Sequence, residues 1–425
     1  MTNILLKTKI HIVSRYVPIS NRAGHFTYLL DLMRYVQRTG CSVELDVLDP
    51  WFLPENIPDE LHELAHITLM PASYLKRDPA PRPMQSRQSL LRSIFRHLPP
   101  LILTPLRQWW YHWRGKTIPG HHASDAVATD MEMAFIKDRL ARYQTDVFIA
   151  NETFLGNLLI LAKNDPRILK INIAFDVQHQ RQKTFQQSTH PRPQTAWNRQ
   201  NEAELLSAAD LIVAIHEDDA ATFREMVPQA EVICVPMAAN LHVHPKERQV
   251  AGRCLFVGSH IAHNVQGLRW FLDDVWPDIL QHNPTASLHV CGSVCRQFSR
   301  PYHQVRFLGR VEDLHEEYEA AAVCIIPLLA GSGLKIKLVD ALSHGRACVA
   351  TSIGVQGMRA IIDKAVLVSD TPKDFSYAVR TVLEDSEKCF AMETAARQYV
   401  VEHLAPEKVY MPLVANIEHG VRHHY

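Results

Sequence analysis

The sequence has no excess of charge of either sign. Lysine plus arginine and aspartate plus glutamate each number 45 among 425 residues, so the formal net charge is zero. A chain that depends on binding nucleic acid usually carries a basic excess, and this composition gives no such signal. Any binding of an anion must therefore depend on local clusters of basic side chains.

Long apolar runs and paired cysteines are also missing. No uninterrupted apolar stretch approaches the roughly 18 residues of a spanning helix. Residues 1–14 lack the basic start, apolar run and cleavage site of a signal peptide. The eight cysteines are scattered, and the close pair Cys291 and Cys295 has no second pair with which to form a zinc site. We therefore expect a reduced, cytoplasmic protein without a zinc site at these cysteines.

Short apolar segments alternate with helical patterns along the whole chain, which is typical of parallel α/β sheets. We predict a first α/β domain over residues 1–240, a second over 241–405, and a tail over 406–425 that returns to the first domain as a helix. Ligands of such sheets bind beyond the carboxyl ends of the strands. The predicted strands are Ile10–Ser14, Val43–Leu48, Asp146–Ala150, Ile168–Ala174, Asp210–Ile215, Glu231–Val235, Cys254–Gly258, Ser287–Cys291, Val305–Leu308, Val323–Pro327, Ala347–Thr351 and Ala365–Ser369.

One glycine-rich segment predicts a phosphate site. The apolar run 322–329 predicts a buried strand, Gly331, Ser332 and Gly333 follow it, and a helical pattern begins near Leu334. Backbone N–H groups at a helix start, together with the helix dipole, attract anions. Lys335 adds a full charge, and Asp340 can accept hydrogen bonds from a ribose, which suits a nucleoside diphosphate. The alternative is an ordinary glycine-rich loop with solvated lysines.

Residues 84–122 contain no acidic side chain. Tryptophans at 109, 110 and 113 lie among the basic ones, and basic residues with interfacial aromatics are typical of contact with an anionic membrane. The alternative is a helical excursion packed on its own domain. The basic residues of this segment are Arg87, Arg92, Arg96, Arg107, Arg114 and Lys116.

The second half resembles the retaining GT-B glycosyltransferases of family GT4. The resemblance covers about residues 254–358 and depends on four motifs: the strand and loop 255–271, the strand end 290–292, the loop 305–311, and the segment 327–357. The first half resembles the family more loosely, through Gly24 and His25 in the acceptor loop. Donor-binding residues implied by the resemblance are Gly258, Asn264, Gly309, Arg310, Val311, Gly331, Ser332, Gly333, Leu334, Lys335 and Asp340.

The resemblance implies two Rossmann-like domains with a cleft between them. A UDP- or GDP-linked sugar would occupy the second domain, and a lipid-linked or glycan acceptor would occupy the first. The sugar would be transferred with retention of its anomeric configuration, at the inner membrane face if residues 84–122 contact lipid. The resemblance implies no metal and no cofactor, because members of this family usually need no metal and the nucleotide sugar is a substrate. Lys335 would therefore help to neutralise the diphosphate leaving group.

The sequence departs from the family pattern at several positions. Ser332 replaces the first of two paired acidic residues, and Asp340 replaces the second. The family often has a histidine after the strand that corresponds to residues 171–174, and this chain lacks it there. Asp176 and His179 are therefore the catalytic candidates, together with Lys335. Because the first carboxylate is lost, the alternative is a non-catalytic GT-B subunit that binds a nucleotide sugar or a partner enzyme.

Overall fold

The computed structural model describes residues 8–19, 24–50, 52–74, 126–186, 197–311, 313–331 and 335–423. Within them the backbone forms two separate parallel sheets. Residues 84–122 and the site residues Ser332, Gly333 and Leu334 lie outside the described part, so their predictions stay predictions. No helix in the described ranges combines the length and apolar character needed to cross a bilayer.

The first sheet has seven strands among the described residues, in the order β3-β2-β1-β4-β5-β6-β7, all parallel. The order reverses between β1 and β4, which is where ligands of such sheets usually bind. The strands are β1 Lys9–Ser14, β2 Ser42–Val47, β3 His66–Leu69, β4 Val147–Asn151, β5 Leu169–Ala174, β6 Leu211–Ala214 and β7 Glu231–Cys234.

Helices cover both faces of this sheet because β1, β4 and β5 are buried on both sides. The first helix buries Leu29, Leu30, Met33 and Val36 as its apolar stripe predicts. A 3-10 segment, Thr153–Ala162, follows β4. The helices are α1 Gly24–Arg38, α2 Asp59–Leu64, α3 Asp130–Arg142, α4 Gln178–Gln186, α5 Arg199–Leu206 and α6 Glu217–Met226.

The second sheet has six described strands in the order β10-β9-β8-β11-β12-β13, again all parallel. Its order reverses between β8 and β11. The strands are β8 Arg253–Val257, β9 Ser287–Cys291, β10 Val305–Gly309, β11 Val323–Ile326, β12 Cys348–Ala350 and β13 Val366–Val368. The helices around it are α7 Ala262–Trp270, α8 Trp276–His282, α9 His315–Ala320, α10 Ile336–Ser343, α11 Pro372–Glu384 and α12 Ser386–Tyr399.

The end of the chain crosses back to the first sheet. After a π-helical turn, Val400–Leu404, the chain forms α13 Pro406–Val409 and α14 Met411–His423. Leu413, Val414 and Ile417 of α14 are buried in the apolar cluster of the first sheet. The outgoing and returning segments meet where the Ala239 N–H donates to the Leu404 carbonyl at 2.7 Å. The two sheets are therefore joined by two adjacent chain crossings.

Candidate functional site

The two sheets approach each other where α1 and α10 begin. A Cβ placed on Gly24 would lie 1.3 Å from Cδ1 of Ile336, so no larger residue fits there unless Ile336 moves. Gly24 begins α1, which follows β1, and Ile336 begins α10, which follows β11. The predicted acceptor loop and the predicted diphosphate segment therefore lie against each other at the carboxyl ends of strands.

Lys335 lies immediately before α10, because the helix begins at Ile336 and not near Leu334 as the sequence predicted. Its side chain is only 6% exposed, and its Nζ donates to Oε1 of Gln356 at 3.2 Å. Nζ also lies 3.8 Å from where a Cβ of Gly331 would be, and the His263 ring flanks the same point at 3.9 Å. Gly331 has φ 130°, a conformation that favours glycine. The ammonium of Lys335 is thus held beside the glycine turn.

The surroundings of Lys335 make its charged form less stable than it is in water. Burial lowers the pKa of Lys335 to about 8, although the carboxylates of Asp176 and Asp219 act to raise it. Burial, followed by the charge of Lys335, lowers the pKa of Lys337 to about 7. Two neighbouring cations in a partly dehydrated place gain stability when an anion binds. This is the electrostatic character that a diphosphate requires.

Lys337 is oriented by its contacts within the second domain. Its Nζ lies 4.8 Å from the centre of the Phe256 ring and donates to Oδ1 of Asn264. The Asn264 Nδ2 donates to the Ser259 carbonyl at 3.1 Å. Asn264 therefore connects Lys337 to the loop after β8.

Asp340 lies one turn into α10 and faces the first domain. Burial raises the pKa of Asp340 to about 7, and the charge of Asp31 on α1 raises it further. A carboxyl group in such a place gains stability when it accepts hydrogen bonds from a ligand. Its predicted contact with a ribose is compatible with this environment and stays a prediction.

The other predicted donor residues lie at the ends of neighbouring strands. The Gly258 N–H, after β8, donates to the Cys291 carbonyl at 2.9 Å. Gly309 ends β10 with φ 72°, and its carbonyl accepts from the Gly292 N–H at 2.6 Å. Arg310 follows with an exposed side chain, and Val311 is half-buried. These residues lie at the carboxyl ends of β8 and β10. Gly331, which follows β11, lies at the same end of the second sheet.

Across the cleft, Asp176 and His25 lie near the end of β5. The Asp176 carboxylate pairs with Nη1 of Arg181 at 3.6 Å. The His25 ring packs against Phe175 with 6.0 Å between ring centres. Burial, and next the charge of Arg181, lowers the pKa of His25 to about 4. At neutral pH His25 is therefore an uncharged imidazole, which suits hydrogen bonding to a hydroxyl group.

His179, the other catalytic candidate, has its ring and its backbone N–H in contact with the Glu202 carboxylate. Its Nδ1 lies 2.7 Å from Oε2 of Glu202, and its backbone N–H donates to the same oxygen at 3.0 Å. This carboxylate also accepts from the Gln178 N–H at 2.8 Å. Glu202 thus satisfies the first turn of α4. The structure places Asp176 within electrostatic range of Lys335, whereas the His179 ring is committed to Glu202.

Glu152 is a site residue that the sequence analysis missed. It follows β4 with φ 94°, a strained conformation for a residue other than glycine. Burial, and next the charge of Asp176, raises the pKa of Glu152 to about 8. Its position directly after a buried strand was the available signal, because strand ends of the switch point bind ligands. Glu152 is therefore a protonated carboxyl group at neutral pH, able to donate a hydrogen bond.

Arg181 and His263 are two more site residues that were not among the predicted ones. Burial lowers the pKa of His263 to about 4, and Lys337, Lys335 and Arg181 lower it further. Arg181 belongs to the first domain and His263 to the second, so a charged guanidinium and a neutral imidazole from the two domains meet at one site. Single-sequence patterns carry no signal for such a pair, because its members are distant in sequence.

The comparisons with known proteins agree with this geometry. Residues 251–385 match the family described as glycosyl transferases group 1. A relative from Klebsiella pneumoniae, an uncharacterized 44.6 kDa protein in the cps region, is 31% identical over 115 residues. That match covers 24% of this chain and 30% of the relative, so it spans less than a third of the relative's length.

Solved structures match almost the whole chain. Sucrose-phosphate synthase from Thermosynechococcus elongatus has a TM-score of 0.65 at 14% identity, covering 97% of this chain and 98% of that one. Anabaena HepE in complex with UDP has a TM-score of 0.62 at 12% identity, covering 97% of this chain and 100% of that one. At such identities the likeness shows the fold.

The class of the protein follows from these matches. Residues 251–385 form a domain of the glycosyl transferases group 1 family, and the two sheets together have the GT-B fold. The chain thus has the GT-B fold and contains a segment of the glycosyl transferases group 1 family, as the sequence resemblance predicted.

Proposed function

We propose that the protein transfers a sugar from a nucleoside diphosphate sugar, UDP- or GDP-linked, to a lipid-linked or glycan acceptor. The observation that carries this proposal is the position of Lys335, a buried cation between the Gly331 turn and the Gln356 side chain. Its charge faces Asp176 and Asp219 of the opposite domain. An anion bound beside Lys335 would therefore lie within the cleft, next to the first domain.

Each group in the cleft has a role in the proposed reaction. Lys335 and Lys337 stabilise the negative charge that develops on the departing diphosphate. The Asp176 carboxylate stabilises the positive charge that develops on the sugar ring. Neutral His25 and protonated Glu152 orient hydroxyl groups by hydrogen bonds. Retention of the anomeric configuration is part of the proposal and depends on the family resemblance.

Two observations favour the proposed classes of acceptor. The Klebsiella relative is described as lying in a cps region, which favours a glycan acceptor. The acid-free segment 84–122 favours a lipid-linked acceptor at the inner membrane face, reached by a cytoplasmic protein. Liposome sedimentation tests this part, since Arg107 and Arg114 changed to glutamine should release the protein from acidic vesicles. A protein that stays in the supernatant with acidic vesicles at low salt would favour a soluble acceptor.

The activity is tested with purified full-length protein and a panel of UDP- and GDP-linked sugars. Mass spectrometry would detect released nucleoside diphosphate and glycosylated acceptor, and proton NMR of the product would show its anomeric configuration. The proposal predicts turnover of at least one donor, with loss of turnover in Asp176→Ala. Binding of a nucleotide sugar with no release from any donor or acceptor would instead identify the non-catalytic subunit.

A further inference from the structure

Four histidines of the second half meet at the end of α10 that is distant from Lys335. His242 and His244 come from the segment that links the domains, His315 begins α9, and His344 follows α10. The ring centres of His242 and His344 are 4.4 Å apart, and those of His244 and His315 are 4.3 Å apart. The sugar-transfer reaction uses none of them.

Three of these histidines bring their nitrogen atoms together. One ring nitrogen from each of His242, His315 and His344 lies within 4.8 Å of the other two. Near neutral pH most imidazoles are uncharged and carry a free lone pair, so such a group can bind a metal ion. Protonated imidazoles would instead repel one another at this separation.

His344 has its free nitrogen selected by a hydrogen bond. Its Nδ1 lies 2.8 Å from the Asp340 carbonyl, which can only accept, so Nδ1 carries the proton. Nε2 therefore keeps its lone pair. Histidine ligands of metals commonly donate their other N–H to a backbone carbonyl in this way. The Tyr318 ring stacks on His344 at 4.3 Å and holds the imidazole in place.

His244 lies beside the group as a buried side chain with unused polar atoms. Its side chain is 0% exposed. Within the described part of the chain, neither of its ring nitrogens has a hydrogen-bond partner. The nearest carboxylate oxygen, on Glu319, is 3.9 Å from Nδ1. Buried polar atoms are normally satisfied, so the His244 nitrogens are available to contact a ligand bound by the neighbouring histidines.

His242 is the member that can move. Its backbone N–H donates to the Ser343 carbonyl at 2.7 Å, which fixes its main chain beside His344. Its side chain is exposed. Its ring stacks on His344 with an angle of 15° between the planes, so coordination by both rings requires the His242 ring to rotate. An exposed side chain makes this rotation at little cost.

We propose that His242, His315 and His344 bind a transition-metal dication of the Zn²⁺ class, with His244 next to the ion. Imidazole nitrogens suit zinc and its neighbours, whereas magnesium and calcium prefer oxygen ligands. The ion joins the interdomain segment to the carboxyl end of α10, whose amino end carries Lys335. This site is independent of the sugar-transfer reaction and holds the linker to the second domain.

The test uses full-length protein without a polyhistidine tag, stripped of metal with a chelator and dialysed against Zn²⁺. Bound zinc is counted by mass spectrometry, and visible absorption after Co²⁺ loading reports imidazole coordination. The proposal predicts one equivalent for the wild type. The double variant His242→Gln/His315→Gln should lose at least about tenfold in affinity. This variant keeps His344, which is buried, so its folding should be preserved.

The matched control is His62→Gln/His403→Gln, which removes two exposed histidines outside the cluster. It should bind zinc as the wild type does. Circular dichroism and thermal melting without zinc should be alike for all three proteins. Equal zinc affinity in the cluster variant and the wild type, or no zinc bound by the wild type, would overturn the proposal.

Discussion

At the scale of single residues, Lys335 and Lys337 set the electrostatic character of the site. Both lose part of their preference for the charged state because they are removed from water. The carboxyl group of Asp340, on α10, instead retains its proton more readily because burial raises its pKa. The site therefore contains groups that change protonation near neutral pH, and a ligand of complementary charge would reverse those pKa shifts.

Affinity for a nucleoside diphosphate should depend on pH through these lysines. Their pKa values of about 8 and about 7 apply to the free protein, and a bound diphosphate raises both. The favourable contact is therefore complete below about pH 7 and is lost as the pH rises through about 8. Calorimetry across this range should show a rising dissociation constant. Lys335→Arg, which keeps its charge, should flatten the dependence, and an unchanged slope would argue against a contact with Lys335.

Asp340→Asn should lower the affinity for nucleotide and raise the stability of the folded protein at alkaline pH. The pKa of Asp340 is raised from 3.8 to about 7, so its ionisation opposes folding increasingly above pH 4, with the full cost above pH 7. The variant should melt at a higher temperature than the wild type at pH 8 and at a similar one at pH 4. If the carboxylate accepts from a ribose, nucleotide affinity should fall in the same protein. A gain in stability without loss of affinity would leave Asp340 outside the binding site.

At the scale of secondary-structure elements, the starts of α1 and α10 determine how closely the domains approach. Gly24 and Ile336 form this contact, and only the absence of a side chain on Gly24 permits it. Domain closure excludes water from the reacting atoms in enzymes with two domains. We therefore expect turnover to depend on how closely the starts of α1 and α10 can approach each other.

Gly24→Ala should impair turnover while preserving the fold. The added methyl group overlaps the end of the Ile336 side chain, so the two helix starts must separate or Ile336 must change rotamer. Steady-state kinetics should show a lower kcat, and Ile336→Ala in the same protein should restore much of it. If the double variant is as impaired as Gly24→Ala, the defect does not arise from this contact.

At the scale of the whole molecule, the last helix makes the first domain depend on the end of the chain. Leu413 of α14 is 0% exposed within the cluster formed by the first sheet. The core of the first domain therefore includes a segment from beyond the second domain, and removing that segment would leave the core incomplete. We expect the stabilities of the two domains to be coupled for this reason.

Leu413→Ala should lower the free energy of unfolding by about 2–5 kcal/mol, because it leaves a cavity in a packed core. Met411→Ala is the matched control on the same helix. Met411 is 51% exposed, so its change should stay within about 0.5 kcal/mol. Chemical denaturation measures both. Equal small effects would mean that α14 contributes little to the first domain.

The sheets could be predicted from sequence because parallel strands buried on both faces are continuous apolar runs. Each of the twelve predicted strands overlaps an observed one. Strand β3 was not predicted, because His66–Leu69 has only four residues and is exposed at His66. Because β3 lies at the edge of the sheet and is only partly buried, it lacks the continuous apolar run that marks the central strands.

The part of the site formed by residues close together in sequence could be predicted. The part that the fold brings together from distant segments could not. Lys335 and Asp340 belong to one strand–turn–helix pattern that the sequence displays. Glu152, Arg181 and His263 gain their significance from proximity across the cleft, which has no local signature. The role of Asn264 in holding Lys337 was hidden for the same reason, since 73 residues separate them.

The central claim is that a nucleoside diphosphate binds beside Lys335, and calorimetric titration of UDP and GDP into three proteins tests it most directly. Lys335→Ala should weaken binding of the preferred nucleotide by roughly 10- to 150-fold, equivalent to about 1.5–3 kcal/mol for a charged hydrogen bond. Lys364→Ala is the control, because this exposed lysine precedes β13 on the opposite side of the second sheet. Its affinity should equal that of the wild type. Equal affinities for all three proteins, or no binding of either nucleotide to the wild type, would contradict the account.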